Sequence, residues 1–214
     1  CHGSEPSVLT RRVLVIGIDG VRPDALQNAN TPAIDHLIAA GAFTNNTKIL
    51  GDRYRDNETI GGPGWSSFLT GVWADKHGVH DNTFRGRNYD AYPHFFVYLK
   101  RKFPNACTGS FVDWEPIDTY IVRAADVRKV RPASSKDSLE QKDKMLAGEA
   151  VQFLTQQNPH AVFVYFGQVD EVGHRDGFHP AEYREPGHRG AAAGRESRLR
   201  PAVRVDLGRD VGPR

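Results

Sequence analysis

Asp19, Asp170 and His174 have side chains that bind metal ions, and all three stand where a sheet protein exposes its chemistry. Asp19 closes the apolar run "RRVLVIGID". Asp170 follows a second apolar run, "AVFVYFGQV", and His174 lies four residues on, in "DEVGH". A carboxylate and an imidazole at that spacing, in a glycine-containing turn, can converge on one zinc ion. Taken alone, Asp-x-x-x-His is a common pair of solvated surface groups. Its position directly after an apolar strand gives it weight, because ligands of open α/β sheets bind at the carboxyl ends of strands.

A second stretch adds a different chemistry. "ETIGGPGWSSFLTGVWADKHGVHDN" runs from Glu58 to Asn82. "PGWSSFLTG" predicts a short helix entered through the glycines of "IGGPG". A helix N-terminus binds anions, because its first N–H groups are unpaired and the dipole is positive there. Gly61 and Gly62 would present those N–H groups. Asn82 has an amide NH2 that can donate to an anionic oxygen, or it only closes a turn. Thr59 is the hydroxyl just upstream. Ser66 and Ser67 fall inside the helix, pointing away from its N-terminus.

Elements must hold these groups in place. The run ending at Asp19 reads as a strand buried on both faces of a parallel sheet. "TPAIDHLIAAG" reads as a helix, with Thr31 as cap, Pro32 in the first turn, Gly41 as stop, and Ile34, Leu37 and Ile38 as its apolar face. "AFTNNTKIL" predicts a strand, "YPHFFVYLKRKF" an amphipathic helix and "CTGSFVD" a strand. "SKDSLEQKDKMLAGEAVQFLTQQ" predicts the longest helix, with Leu139, Leu146, Ala150, Phe153 and Leu154 on one stripe. "AVFVYFGQVD" predicts a last strand. Strands alternating with helices specify an α/β fold, a mainly parallel sheet between helices. Arg12–Asp19 and Val162–Phe166 are expected as neighbouring parallel strands that present Asp19 and Asp170 on one rim.

The whole chain of 214 residues suits one domain with a core of its own. Its formal charge of +2 implies no strong electrostatic partner and no nucleic acid. No apolar run is long enough to span a membrane. Two cysteines, Cys1 and Cys107, exclude a disulfide framework and a cysteine zinc finger. Cys1 has two readings: the start of a fragment, or the lipid-modified first residue of a mature lipoprotein. In the second, residues 1–10 are a tether and the protein is exported, periplasmic or lipid-anchored at the cell envelope. From Ala181 to Arg214 there are eight Arg and no Lys, against twelve Arg and eight Lys before it. That tail has no apolar period. It reads as disordered, or, as preferred here, as GC-rich coding sequence translated out of frame.

Together the pieces resemble the alkaline phosphatase superfamily, and within it the type I phosphodiesterase and nucleotide pyrophosphatase family. The resemblance rests on "VLVIGIDGVRPDAL", "TPAIDHLIAAGAF", "SSFLTGVWADKHGVHDN" and "YFGQVDEVGH", in family order between Arg12 and Pro180. It covers roughly the first half of the family's catalytic domain, so residues 11–180 are read as its N-terminal part and the fold as alkaline phosphatase-like, incomplete at the C-terminus. The resemblance implies a hydrolase of phosphate mono- or diesters that uses two zinc ions and acts on phosphate ester or nucleotide substrates. It implies Asp19 as a ligand of one zinc, Asp170 and His174 as ligands of the other, and Asn82 as a phosphate contact.

The chain departs from that pattern twice. The family's nucleophile, a Thr or Ser, lies nine residues before the Thr of "TG", and counting back from Thr70 reaches Gly61, which has no hydroxyl. Thr59 substitutes only if the loop shifts by two residues. The family also completes its metal sites with an Asp-His pair and a further His, and no "DHG" follows Asp170; His179 and His188 match neither position. The expectation is therefore a phosphodiesterase by ancestry, truncated or frameshifted and impaired. The alternative is a non-catalytic phosphate-binding protein or a decayed remnant. A sulfatase is disfavoured, since that family resembles "C/S-x-P-S-R" at the nucleophile and this segment reads "GGPGW". Specificity is not legible. Phe84, Tyr89 and Tyr92 can line a base pocket, although packing is the commoner use of such rings.

Overall fold

The computed structural model describes residues 11–45, 60–131 and 136–178. Cys1 and the tether, Thr59, His179, His188 and the tail from 181 lie outside them. So does most of the strand expected over "AFTNNTKIL"; its described residues, 42–45, include one bridged residue, Ala42.

The elements in chain order are β1 (Val13–Ile18), α1 (Pro23–Leu26), α2 (Pro32–Ala40), α3 (Gly61–Thr70), α4 (Ala74–His77), α5 (Phe95–Lys102), β2 (Thr108–Val112), β3 (Val127–Val130), α6 (Leu139–Gln157), β4 (Ala161–Phe166) and α7 (Gln168–Asp176). A single π-helical turn, Ile117–Ile121, lies between β2 and β3. The strands form one sheet in the order β1-β4-β2-β3. β2 runs parallel to β3, with Gly109 opposite Val127, and parallel to β4, with Thr108 opposite Ala161. At the other side, Val13 N–H donates to His160 O at 3.0 Å and Asp19 N–H to Phe166 O at 3.0 Å. Both partners advance together along the chain, which is parallel pairing. The fold is α/β with a parallel sheet flanked by helices, as the alternation of elements requires and as an alkaline phosphatase-like architecture has it.

Contacts place a helix on each face. Trp65 of α3 meets Tyr165 of β4 edge-on at 4.8 Å and Phe163 at 6.0 Å. Phe153 of α6 meets Phe111 of β2 at 5.6 Å. Phe111 stands opposite Val164, so it faces away from Phe163 and Tyr165. α6 begins with a capping box: Gln141 N–H donates to Ser138 Oγ, and Ser138 N–H donates to Gln141 Oε1. Leu146, Ala150 and Phe153 of its expected stripe are buried.

Three local expectations are corrected. β1 is not buried on both faces: Val13, Ile16 and Ile18 are 36%, 48% and 37% exposed. It is an edge strand among the described residues, and an apolar run reads the same at an edge as at a centre. Thr31 stands at the N-cap of α2, yet its side chain makes no capping bond. No residue of α2 is buried, and Leu37 of its expected apolar face is exposed.

The chain divides into two compact units, Cys1–Ile16 with Lys48–Tyr165, and Gly17–Thr47 with Phe166–Arg214. The first holds most of the sheet, α3 to α6 and the core around Leu69, Val79, Phe84, Phe96, Ile117 and Phe163. The second holds α1, α2 and α7.

Two buried histidines in the first unit make stability depend on pH. His77 is fully buried; its Nδ1 accepts the Val79 N–H and its Nε2 meets Ser67 Oγ at 2.9 Å. His94 is buried, with neither ring nitrogen hydrogen-bonded. Burial pushes both down to about 4, helped by the neighbouring charge of His80 on His77 and of Lys100 on His94. Both are neutral in the fold, and the unfolded chain takes up protons near pH 6.5. Stability is therefore whole above pH 6.5 and falls as the pH drops toward 4. At about 1.4 kcal/mol per pH unit per proton, each histidine costs on the order of 2 kcal/mol by pH 5. Urea unfolding at pH 7.5 and pH 5 is expected to show that loss, and His94→Phe to remove about half of it. An unchanged midpoint would mean that the two rings are charged in the fold.

Candidate active site

Each unit holds one candidate site, and each is described on its own.

The first is the N-terminus of α3. The helix starts at Gly61, two residues before the expected "PGWSSFLTG". Its first-turn donors can be followed one by one. Gly62 N–H donates to Asn82 Oδ1 at 2.7 Å. Pro63 has no N–H. Gly64 N–H is taken by Ile60 O at 2.9 Å. Gly61 N–H has no partner among the described residues. Asn82 thus neither simply closes a turn nor presents its whole amide to a ligand: its oxygen caps α3 from twenty residues away, and its amino group takes no part in that bond. The turn before it is fixed separately, with Asp81 Oδ1 accepting from Thr83 N–H at 2.8 Å and from the Thr83 hydroxyl at 2.5 Å.

Glycine at 62 is required for this approach. A Cβ there would lie 2.5 Å from Asp81 O and 3.1 Å from Asn82 Oδ1. Gly61, Gly62 and Asn82 therefore form one cluster, with an outward N–H and an amide NH2 as donors and no side-chain hydroxyl. The serines of α3 are engaged elsewhere. Ser66 Oγ donates to Gly62 O at 2.5 Å and lies 2.7 Å from Tyr89 Oη. Ser67 Oγ is on His77.

Tyr89 is held by that contact, and burial pushes its hydroxyl up to about 12. Phe84 is fully buried and stacks on Tyr120 at 4.6 Å. Of the three rings read as base-stacking candidates, Phe84 is thus part of the interior, Tyr89 is half-buried and packs against it, and Tyr92 is half-buried.

The second lies where β1 and β4 end. Asp19 follows β1, and Gly20 N–H donates to Asp19 Oδ1 at 3.0 Å. Gly20 has φ +73°, and a Cβ on it would lie 2.5 Å from the Asp170 Cα. That left-handed turn is open to glycine at little cost, and the close contact leaves no room for a side chain. It sets Asp19 beside the start of α7. Asp170 and His174 lie in that helix rather than in the glycine-containing turn expected for them, one helical turn apart on one face. His174 Nε2 is 3.5 Å from Asp170 Oδ2. Burial raises the Asp170 carboxyl above its usual range, and the charge of Asp19 raises it further, against a lowering by His174.

A carboxylate and an imidazole are both zinc donors, so the pair suits that metal in type. Among the described residues no group of three or more His, Cys, Asp or Glu is arranged to hold a metal ion. The described side chains do not by themselves complete a zinc site.

The cap between Asn82 and Gly62 had no signal in the sequence beyond the co-occurrence of glycines and an amide in one segment. The close approach of Trp114 to Gly61, with a Cβ at 61 placed 3.0 Å from the ring, had none at all.

Comparison with curated proteins finds no match. A family model, Type I phosphodiesterase / nucleotide pyrophosphatase, matches residues 13–135. The match takes in Asp19, Gly61, Gly62 and Asn82 and stops short of Asp170 and His174. It covers more than half of the chain, which belongs to the type I phosphodiesterase/nucleotide pyrophosphatase family.

Proposed function

We propose that this protein binds the phosphate group of a phosphate ester or nucleotide at the first turn of α3, on a scaffold built for its hydrolysis, and that the hydrolytic step itself is impaired. The family is a hydrolase family acting on such substrates. The observation that carries the reading is the Asn82–Gly62 cap at 2.7 Å. It holds the Asn82 amide against the first turn of α3, at the positive end of a ten-residue helix. Two donors beside a helix N-terminus suit the oxygens of a phosphate. In this reading Asp170 and His174 would hold one zinc and Asp19 another, with further ligands from outside the described residues. Bound zinc would supply the Lewis acid for phosphoryl transfer. This chain's own part is to orient the phosphate by Gly61 N–H and the Asn82 amide.

A purely phosphate-binding role is the second reading. It is favoured by Gly61, which offers a backbone N–H where the family resemblance implies a hydroxyl.

Asn82→Asp separates support of the fold from binding. The carboxylate still accepts the Gly62 N–H and is favourable at a helix N-terminus, so stability should stay within about 0.5 kcal/mol of the original. It loses the amide donor and repels an anion. Calorimetric titration with inorganic phosphate is expected to give at least about tenfold weaker binding. Equal binding by both proteins, or none by the original, would refute the reading.

A further inference from the structure

We propose that Trp114 and Gly61 form one steric unit, in which the indole ring occupies the volume that a side chain at position 61 would fill. A Cβ on Gly61 would stand 3.0 Å from Trp114 Cη2, 3.3 Å from Cζ3 and 3.6 Å from Cζ2. All three atoms belong to the six-membered ring. The first two distances are shorter than ordinary van der Waals contact, so even alanine requires the ring to yield by a few tenths of an ångström. Threonine, with two further atoms on Cβ, requires more.

The ring is poorly placed to yield. Trp114 lies two residues beyond the end of β2, and its carbonyl accepts the Ile117 N–H at 3.2 Å as the chain enters the π-helical turn. It lies tilted against Phe84 at 6.1 Å and Tyr165 at 6.5 Å. Phe84 and Tyr165 are core residues, and Trp114 packs against their cluster. Trp114 is half-buried, and moving its ring away from Gly61 disturbs its packing on Phe84 and Tyr165. Loss of the hydroxyl at position 61 and the presence of indole at 114 are two halves of one arrangement. The ring walls the anion-binding turn with an aromatic surface. Restoring a hydroxyl at 61 by itself does not restore room for it.

This inference rests on the reading of position 61 as the nucleophile's place, and its test does not use a ligand. Gly61→Ala and Gly61→Thr are made in the original protein and in Trp114→Phe, whose shorter ring withdraws the contacting atoms. Stability is measured by urea unfolding. Alanine is ordinarily favoured over glycine in a helix. Here Gly61→Ala is expected to lower the folding equilibrium constant beside Trp114 and to raise it in the Trp114→Phe background. For Gly61→Thr the coupling with Trp114→Phe is expected to be about tenfold or more in that constant, as for residues in direct contact. Additive effects, within about twofold, would overturn the proposal. Trp114→Leu provides the same cycle should the phenylalanine ring pack differently. If the coupling is present and phosphate does not bind, the functional reading fails and the steric unit stands. If phosphate binds and the effects are additive, the reverse holds.

Discussion

Phe84→Ala is expected to destabilise the protein by about 3–5 kcal/mol, the range for removing a fully buried aromatic ring. Phe84 has no solvent exposure, stacks on Tyr120 at 4.6 Å and 25°, and lies 6.1 Å from Trp114. It also has φ +56°, in the left-handed region that a side chain rarely adopts. The loop accepts that conformation because the ring then enters the core. The strain remains in the alanine variant while the packing that offsets it is gone, so the cost should sit at the upper end of the range. For a protein with ordinary marginal stability this is a large fraction of the total. Urea unfolding measures it directly. A variant of unchanged stability that altered the preference between nucleotides and simple esters would return Phe84 to the ligand pocket.

Phe84 illustrates what the sequence could and could not convey. "FRGRNYDAYPHFF" is polar and rich in turn residues, so its aromatics were open to a binding role; burial of Phe84 depends on a π-helical turn that places Tyr120 beneath it, and "IDTYI" has no period that marks such a turn. β4 was legible because it is a continuous apolar run buried on both faces, whereas β2, equally buried, begins Thr-Gly-Ser and is apolar only at Phe111 and Val112. β3, "VRKV", was not legible, since a short strand with two charged residues looks like a loop. α6 announced itself by its stripe; its Ser138–Gln141 capping box is a finding of the structure. α3 was legible as a helix but not in its start, because glycines argue against helix on propensity; close approach of Asn82 and of Trp114 outweighs that here. Their position after apolar runs marks Asp19 at the end of β1, whereas Asp170 lies in α7, the helix that follows the neighbouring strand β4. That His174 shares a helix face with Asp170 was hidden, since Gly173 suggested a turn. Gly173 instead makes room for Phe178, whose ring would lie 2.2 Å from a Cβ there.

The most direct measurement is release of 4-nitrophenol from bis-p-nitrophenyl phosphate by the 214-residue chain, with and without added zinc. The account predicts no zinc-dependent release above buffer, a deficit of several powers of ten against a competent covalent hydrolase. The reason is geometric. The first turn of α3 offers Gly61 N–H and, through its cap, the Asn82 amide, both suited to hold a phosphate. Attack needs an oxygen at that same turn. Ser66 is bonded to Gly62 O and Tyr89, Ser67 is bonded to His77, and Gly61 has no side chain. Zinc-dependent turnover that Thr59→Ala abolishes would contradict the account and make Thr59 the nucleophile.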